Sequence, residues 1–182
     1  MSAEPESSDE RATRLRGFVR DVPDFPSPGI LFRDITPLLA SPDAFRTAIA
    51  AMAEPYRANV PDKILGVEAR GFMFGAALAR ELSVGFVPVR KPGKLPLQSF
   101  RESYGLEYGR DTLEVHCDAC VRGERVVIAD DVLATGGTAE AAARLAERLG
   151  TELLGLSFFI ELAALKGRAR LAPRPTHSVL VL

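Results

Sequence analysis

Two familiar phosphate-binding signatures are missing from this chain. It has no GxxxxGKS or GxxxxGKT, and so no Walker lysine, and no GxGxxG follows an apolar run. Charge of one sign is also missing. With 23 basic and 24 acidic residues the formal net charge is −1, which gives no field to attract nucleic acid. No apolar run approaches the roughly 20 residues that span a membrane. The start, MSAEPESSDE, is too acidic and polar for a secretory signal. The expectation is a cytoplasmic protein with no membrane and no nucleic-acid partner. Cysteine and histidine are scarce, with two of each. Cys117 and Cys120 make one C-x-x-C, but zinc needs two further ligands, and His116 and His177 complete no recognisable spacing. These are read as two reduced thiols without a chemical role.

What is present is an ordinary globular balance. The 182 residues are 47% hydrophobic and 26% charged, enough for one domain with a substantial core. The most informative stretch is VVIADDVLATGGTAEAAARLAERLG, residues 126–150. Val126 to Ala129 suit a strand buried on both faces. Asp130 and Asp131 follow at its carboxyl end. Burying two adjacent carboxylates without partners is costly, so they are expected to line a crevice and meet hydroxyls or a metal. Ala134-Thr135-Gly136-Gly137-Thr138 then opens a helix over Ala139–Leu149, with Gly150 as its stop. Such a loop aims several N–H groups and the positive end of the helix dipole at one point, which favours a phosphate. A ribose 5-phosphate needs both features: the cradle for its phosphate and the acids for its 2′- and 3′-hydroxyls.

The rest of the chain alternates strand and helix patterns, which indicates an α/β fold with a mostly parallel central sheet flanked by helices. Residues 1–10 are polar and acidic, and are expected to form a disordered tail. Arg11–Val22 has the spacing of an amphipathic helix, with Leu15, Phe18, Val19 and Val22 on one face. Three prolines and a glycine within 23–29 forbid a regular element there. Ser41-Pro42 opens a helix that continues through Met52 and ends before Pro55. Strands are expected at Lys63–Val67, Gly85–Val89, Leu153–Leu162 and Ser178–Leu182. A strand pair is expected over Ser103–His116, turning near Gly109-Arg110-Asp111. Helices are expected at Phe72–Leu82 and Ala163–Leu171. Leu95–Arg101 has no period and reads as a mobile loop. Residues 11–182 therefore form a single domain.

In such sheets ligands lie beyond the carboxyl ends of the strands. Glu68-Ala69-Arg70-Gly71, Arg90-Lys91-Pro92-Gly93-Lys94 and Asp130–Thr138 all follow strands, so the sheet should bring them together. Arg70 matches phosphate oxygens bidentately, though an αβ loop with a surface arginine is equally consistent with the pattern. Arg90, Lys91 and Lys94 are three cations on one loop, suited to stabilising a leaving group that carries several negative charges. Their plainer reading is a solvated face. Glu107 suits proton handling on an incoming base, or is an exposed strand glutamate. Phe32 offers a stacking face, the extended backbone at Leu31 offers N–H and C=O to a base edge, and Arg33 can reach a ring nitrogen or a phosphate. Without further context, Leu31 and Phe32 read as core.

The central stretch resembles the 5-phosphoribosyl 1-pyrophosphate (PRPP) signature of type I phosphoribosyltransferases. FPSPGILFRDITPLL, GVEARGFMFGAALA, VPVRKPGKLP, SYGLEYGRDTLEVH, VVIADDVLATGGT and IELAALKGRARLAP stand in the order and spacing of adenine phosphoribosyltransferases, from about Phe25 to Pro173. That resemblance implies the type I fold, with a small N-terminal hood over about residues 11–36. It implies that adenine and PRPP give AMP and pyrophosphate with Mg²⁺, which PRPP oxygens and water mainly carry, so that no protein metal ligand is named. Ala134, Thr135, Gly136, Gly137 and Thr138 would hold the 5′-phosphate. Asp130 and Asp131 would hold the ribose hydroxyls, with Asp131 near the charged ribose. Arg70, Arg90, Lys91 and Lys94 would face pyrophosphate, and the peptide Glu68–Ala69 would be cis. Glu107 and Tyr108 would lie on a closing loop, with Glu107 near the adenine. Leu31 would read adenine by its backbone, Phe32 would stack on it, and Arg33 would contact the substrates. The resemblance also implies a homodimer. A base other than adenine, such as xanthine, or a non-catalytic PRPP-binding regulator, are the alternative readings.

Overall fold

A computed structural model describes residues 6–105 and 110–182. The chain divides into two compact units, one running to Ala48 and the other Ile49–Leu182.

The first unit opens with helix α1 (Ser8–Arg16), which begins three residues early, inside the stretch expected to lack order, and continues where a helix was expected. A capping box sets its start: the Glu10 N–H donates to Ser7 Oγ at 3.3 Å, and the Ser7 N–H donates to Glu10 Oε2 at 3.0 Å. The helix expected through Val22 stops at Gly17 instead. The spacing of Leu15 and Val19 satisfied a helical face, yet both are buried from different elements. Glycine is a poor helix former and the following Val19 and Val22 are β-branched. Strand β1 (Arg20–Pro23) pairs antiparallel with β2 (Leu31–Asp34). Between them the proline-rich stretch forms no regular element. Helix α2 (Thr36–Ala40) went unforeseen. Asp34 prepares it, its carboxylate accepting from the Thr36 N–H and hydroxyl, both at 2.9 Å. Helix α3 (Pro42–Ala53) follows, with Ser41 Oγ accepting from the Ala44 N–H at 3.3 Å as the sequence suggests.

The second unit is built on a five-stranded sheet in the order β4-β3-β7-β8-β9, every pairing parallel. Its strands are β3 (Lys63–Val67), β4 (Gly85–Val89), β7 (Arg125–Leu133), β8 (Glu152–Glu161) and β9 (Thr176–Val181). Helices α4 (Gly71–Leu82), α5 (Gly137–Arg148) and α6 (Gly167–Leu171) connect them. A separate antiparallel hairpin, β5 (Ser99–Gly105) and β6 (Arg110–His116), stands between β4 and β7 in the chain. Thus part of the stretch read as a mobile loop is strand, beginning at Ser99. The helix expected over Ala163–Leu171 is broken at Lys166, which takes a left-handed φ of 53°.

Val126 to Ala129 on β7 are fully buried at the centre of the sheet, and Val126 and Ile128 share one core with Leu65, Val67, Leu156 and Phe158 on neighbouring strands and Ala142, Leu145 and Ala146 of α5. β7 runs four residues past the expected end, so Asp130 and Asp131 are strand residues. Asp130 lies opposite Phe158 in the β7–β8 register. The order reverses between β3 and β7, and a parallel sheet offers a crevice at such a switch point, beyond the carboxyl ends of its strands.

Candidate active site

The loop after β7 makes a small cup of roughly 50 Å³, lined by Asp130, Val132 to Ala139. Gly136 turns it, with a φ of 81° that other residues rarely adopt. Among the described residues, the main-chain N–H groups of Thr135, Gly136, Gly137 and Thr138 donate to no protein acceptor. Those amides point to an anion beside a helix start, where the dipole adds positive potential. Their support comes from an unforeseen quarter. A side chain on Gly136 would meet the Gly167 carbonyl at 2.6 Å, and one on Gly167 would meet the Gly136 nitrogen at 2.9 Å. The start of α6 is pressed against the back of the cup.

A second, larger cleft of roughly 330 Å³ adjoins it. Glu68, Arg70, Lys91, Tyr104, Asp130, Asp131 and Thr138 line it. Asp131 is only 5% exposed. Arg70 Nε lies 2.8 Å from its Oδ2, close enough for an ion pair though not aligned as a hydrogen bond. The Asp131 N–H donates to Asp130 Oδ1 at 2.9 Å. Burial and then the neighbouring Asp131 charge push the Asp130 pKa well above the ordinary carboxylate value. Burial also raises Asp131, against the opposing pull of Arg70. Helix α4 starts hard against this pair: a side chain on Gly71 would reach Asp130 Oδ1 at 2.5 Å. The acids thus line a crevice as the sequence suggests, but in a far drier setting than a strand end implies.

The basic loop is less free than three cations in a row suggest. Arg90 Nε and Nη2 donate to the Glu68 carboxylate at 3.2 and 3.1 Å, and the Lys91 N–H donates to Glu68 Oε2 at 2.8 Å. Glu68 is held below the ordinary carboxylate range by Arg90 first, then by the Lys91 amide. Arg90 therefore braces the Glu68–Ala69 peptide, which is cis, and does not line the cleft. Lys91 does line it, paired with Asp111 of β6. Lys94 is exposed away from it, and its carbonyl accepts from Arg90 Nη1 at 3.3 Å. Glu114 of the hairpin, 1% exposed, ties this loop to it by accepting from the Gly93 N–H at 3.2 Å, and is ion-paired across the hairpin with Arg101 Nε at 2.7 Å.

Leu31, Phe32 and Arg33 lie on β2 of the other unit. Leu31 is 46% exposed and stands opposite Pro23, which has no N–H to offer it. Phe32 meets Phe25 edge to face, with ring centroids 5.0 Å apart. Arg33 is ion-paired with Asp21. Glu107 and Tyr108 lie outside the described residues. The cysteines are both free thiols, Cys117 exposed and Cys120 buried. Among the described residues no helix is long and apolar enough to cross a membrane.

Sequence reasoning missed Tyr104, Asp111 and Gly167 as parts of this region, and gave Glu68, in a loop it did place here, no role. Each stands inside a motif already singled out. Nothing in a motif says which acid answers which cation, because that pairing is made across strands.

Known proteins resemble this chain in sequence and fold. A phosphoribosyl transferase domain model matches residues 34–176. Adenine phosphoribosyltransferase of Myxococcus xanthus is 58% identical over 166 residues, which cover 91% of this chain and 90% of that protein. The crystal structure of adenine phosphoribosyltransferase from Rhodothermus marinus superimposes with a TM-score of 0.91 at 54% identity, over 96% of this chain and 99% of that one. The Saccharomyces cerevisiae enzyme, solved with adenine and an imino-altritol bisphosphate, gives 0.89 at 43% identity, over 94% and 99% of the two chains. With the domain model spanning most of the chain and identities this high along nearly its full length, the chain belongs to the phosphoribosyltransferase family, among the adenine phosphoribosyltransferases.

Proposed function

We propose that this chain transfers the phosphoribosyl group of PRPP to adenine, giving AMP and pyrophosphate, and so serves purine salvage. The observation that carries the reading is the anion cup of Thr135–Thr138, with its uncommitted amides, adjoining a cleft lined by Asp130 and Asp131. The cup takes the 5′-phosphate. The acid pair takes the ribose 2′- and 3′-hydroxyls, which donate to carboxylates and so offset their desolvation. Arg70 and Lys91 face the pyrophosphate, while Arg90 acts through Glu68.

Displacement at C1′ breaks the bond to the pyrophosphate oxygen, which keeps the electron pair, and forms a bond to a ring nitrogen of adenine. Positive charge builds on the ribose meanwhile, and Asp131 stands where it favours that charge. The nitrogen's proton leaves to Glu107 or to water. Leu31, Phe32 and Arg33 recognise adenine. By the family resemblance, Glu107 and Tyr108 would belong to a loop that closes to exclude water, which would otherwise hydrolyse PRPP.

Mg²⁺ is a hard cation that takes one or two carboxylates together with substrate phosphates and water. Two adjacent carboxylates at the cleft suit that donor set, so Asp130 and Asp131 would stand beside an ion carried mainly by PRPP. When bound, the ion neutralises charge on the departing pyrophosphate. We propose further that the protein works as a homodimer, as the family resemblance implies, and in the cytoplasm, as the composition of the sequence suggests.

The test is direct. Purified protein is incubated with PRPP, Mg²⁺ and each purine base in turn, and the nucleotide formed is identified. AMP from adenine is expected. Nucleotide from xanthine instead would change the substrate, and PRPP binding with no turnover would make the chain a regulator.

A further inference from the structure

Each cation near the cleft answers to its own acid: Arg70 to Asp131, Arg90 to Glu68 and Lys91 to Asp111. The last pair differs from the others. Lys91 also donates to the Tyr104 hydroxyl at 3.2 Å, and that hydroxyl donates to Asp111 Oδ2 at 3.0 Å. The three groups close a triangle. Asp111 is fixed from behind as well, since its Oδ1 accepts from the Thr112 N–H at 2.8 Å. It sits opposite Tyr104 in the hairpin register. Tyr104 is 6% exposed and leans on the start of α5, where a side chain on Gly137 would meet its ring at 3.3 Å. Lys91 and Tyr104 line the cleft, and Asp111 does not.

We propose that Asp111 is a positioning residue: it holds Lys91 as a neutralised cation at the cleft wall and thereby sets how tightly the cleft grips pyrophosphate. This rests on the reading of the cleft given above. An ammonium carries three N–H groups. Asp111 and Tyr104 take two, so an arriving pyrophosphate competes with Asp111 for the same charge. Asp111 keeps its bonds to Tyr104 and Thr112 when Lys91 turns to the anion, so it remains in place to take the lysine back. Exchanging one ion pair for another makes binding weaker than to an unpaired lysine, and release of the product easier. Burial works against the Lys91 charge, but Asp111 and Tyr104 outweigh it and keep its pKa above the ordinary lysine value. Lys91 therefore meets the anion charged.

Asp111→Asn keeps the size and the acceptor oxygens while removing the charge. Titration calorimetry with inorganic pyrophosphate and Mg²⁺ at fixed ionic strength reads the effect. Asp111→Asn should bind pyrophosphate about three- to ten-fold more tightly, with KM for PRPP falling and kcat falling as product leaves more slowly. Lys91→Gln should bind it more weakly, and adding Asp111→Asn to Lys91→Gln should change nothing further. Unchanged or weaker binding by Asp111→Asn overturns the proposal, as does an equal gain in the Lys91→Gln background. A merely structural role would lower kcat and raise KM together, which also overturns it. Should Asp111→Asn fold poorly, Asp111→Ser removes the same charge and must move the affinity the same way. A wild-type protein that binds no pyrophosphate overturns the reading of the cleft itself, and this inference with it.

Discussion

Asp130 concentrates the tension between folding and function in one side chain. Its environment disfavours the ionised form, through burial first and the Asp131 charge second. A carboxyl whose folded pKa is raised binds protons more readily folded than unfolded. Stability from that source is present below the unfolded value and is lost as pH rises through the folded one. Replacing Asp130 with Asn removes the disfavoured charge and keeps an oxygen for the Asp131 N–H. Asp130→Asn should therefore melt above the wild type at pH 8, by a few degrees for about 1 kcal/mol, and the two should converge near pH 4. It should also raise KM for PRPP, since an amide is a poorer partner for two hydroxyls. A lower melting temperature at pH 8 would show that Asp130 is well solvated after all. At this scale the sequence was informative where chemistry is local. Two adjacent acids after an apolar run announce a crevice, and Thr-Gly-Gly-Thr before a helix announces a turn whose amides find no protein acceptor among the described residues. It was silent on who partners whom. Glu68 with Arg90, and Lys91 with Asp111, join residues 22 and 20 positions apart.

Elements were legible in proportion to how much of their pattern they keep to themselves. β3 and β4 fall where their apolar runs put them, and the caps of α3 are written in Ser41 and Pro42. The helix expected through Val22 failed because the same apolar spacing serves a helix followed by a strand. β7 exceeds its apolar run because its parallel partner β8 continues past Ala129, where the pairing with β3 ends, and a ladder does not require apolar side chains. α6 shows how an element with little pattern of its own still matters to the site. Its first residue, Gly167, has no room for a side chain between the Ala134 carbonyl and the Gly136 nitrogen. These are main-chain atoms of the phosphate cup and cannot swing aside. Gly167→Ala should cost about 1–3 kcal/mol, as overpacking does, and should raise KM for PRPP several-fold with a smaller effect on kcat. Gly123→Ala makes the useful comparison: that glycine has a positive φ and open space around it. It should cost stability through its backbone alone and leave KM for PRPP unchanged. Equal KM values for wild type and Gly167→Ala would mean that α6 does not shape the cup.

On the scale of the whole chain, the second unit closes on itself through its last strand. β9 completes the sheet beside β8, and Glu161 at the end of β8 fastens the closure. Its carboxylate pairs with Arg168 of α6 and accepts from the Ser178 hydroxyl of β9 at 2.8 Å. One acid thus joins three elements, among them the helix that backs the phosphate cup. Glu161 is 6% exposed. Its pKa is lowered by Arg168 first, against the cost of burial, with Ser178 assisting. A depressed carboxyl contributes stability above its unfolded pKa, near 4.3, and loses it as pH falls through the folded value. Glu161→Gln should therefore destabilise the protein at pH 7 by about 2 kcal/mol, less than for a fully buried pair because Arg168 stays half in water. The deficit should shrink below about pH 4, where the wild-type carboxyl is itself protonated. Denaturant unfolding of both proteins across pH 3–8 measures it. Loosening this joint frees α6, so Glu161→Gln should also raise KM for PRPP, and saturating AMP should recover part of the lost stability because it binds only the folded form. A deficit that stays constant down to pH 3 would mean that Glu161 acts through packing rather than charge, and the link from the sheet's edge to the phosphate cup would then have to be sought in β9 alone.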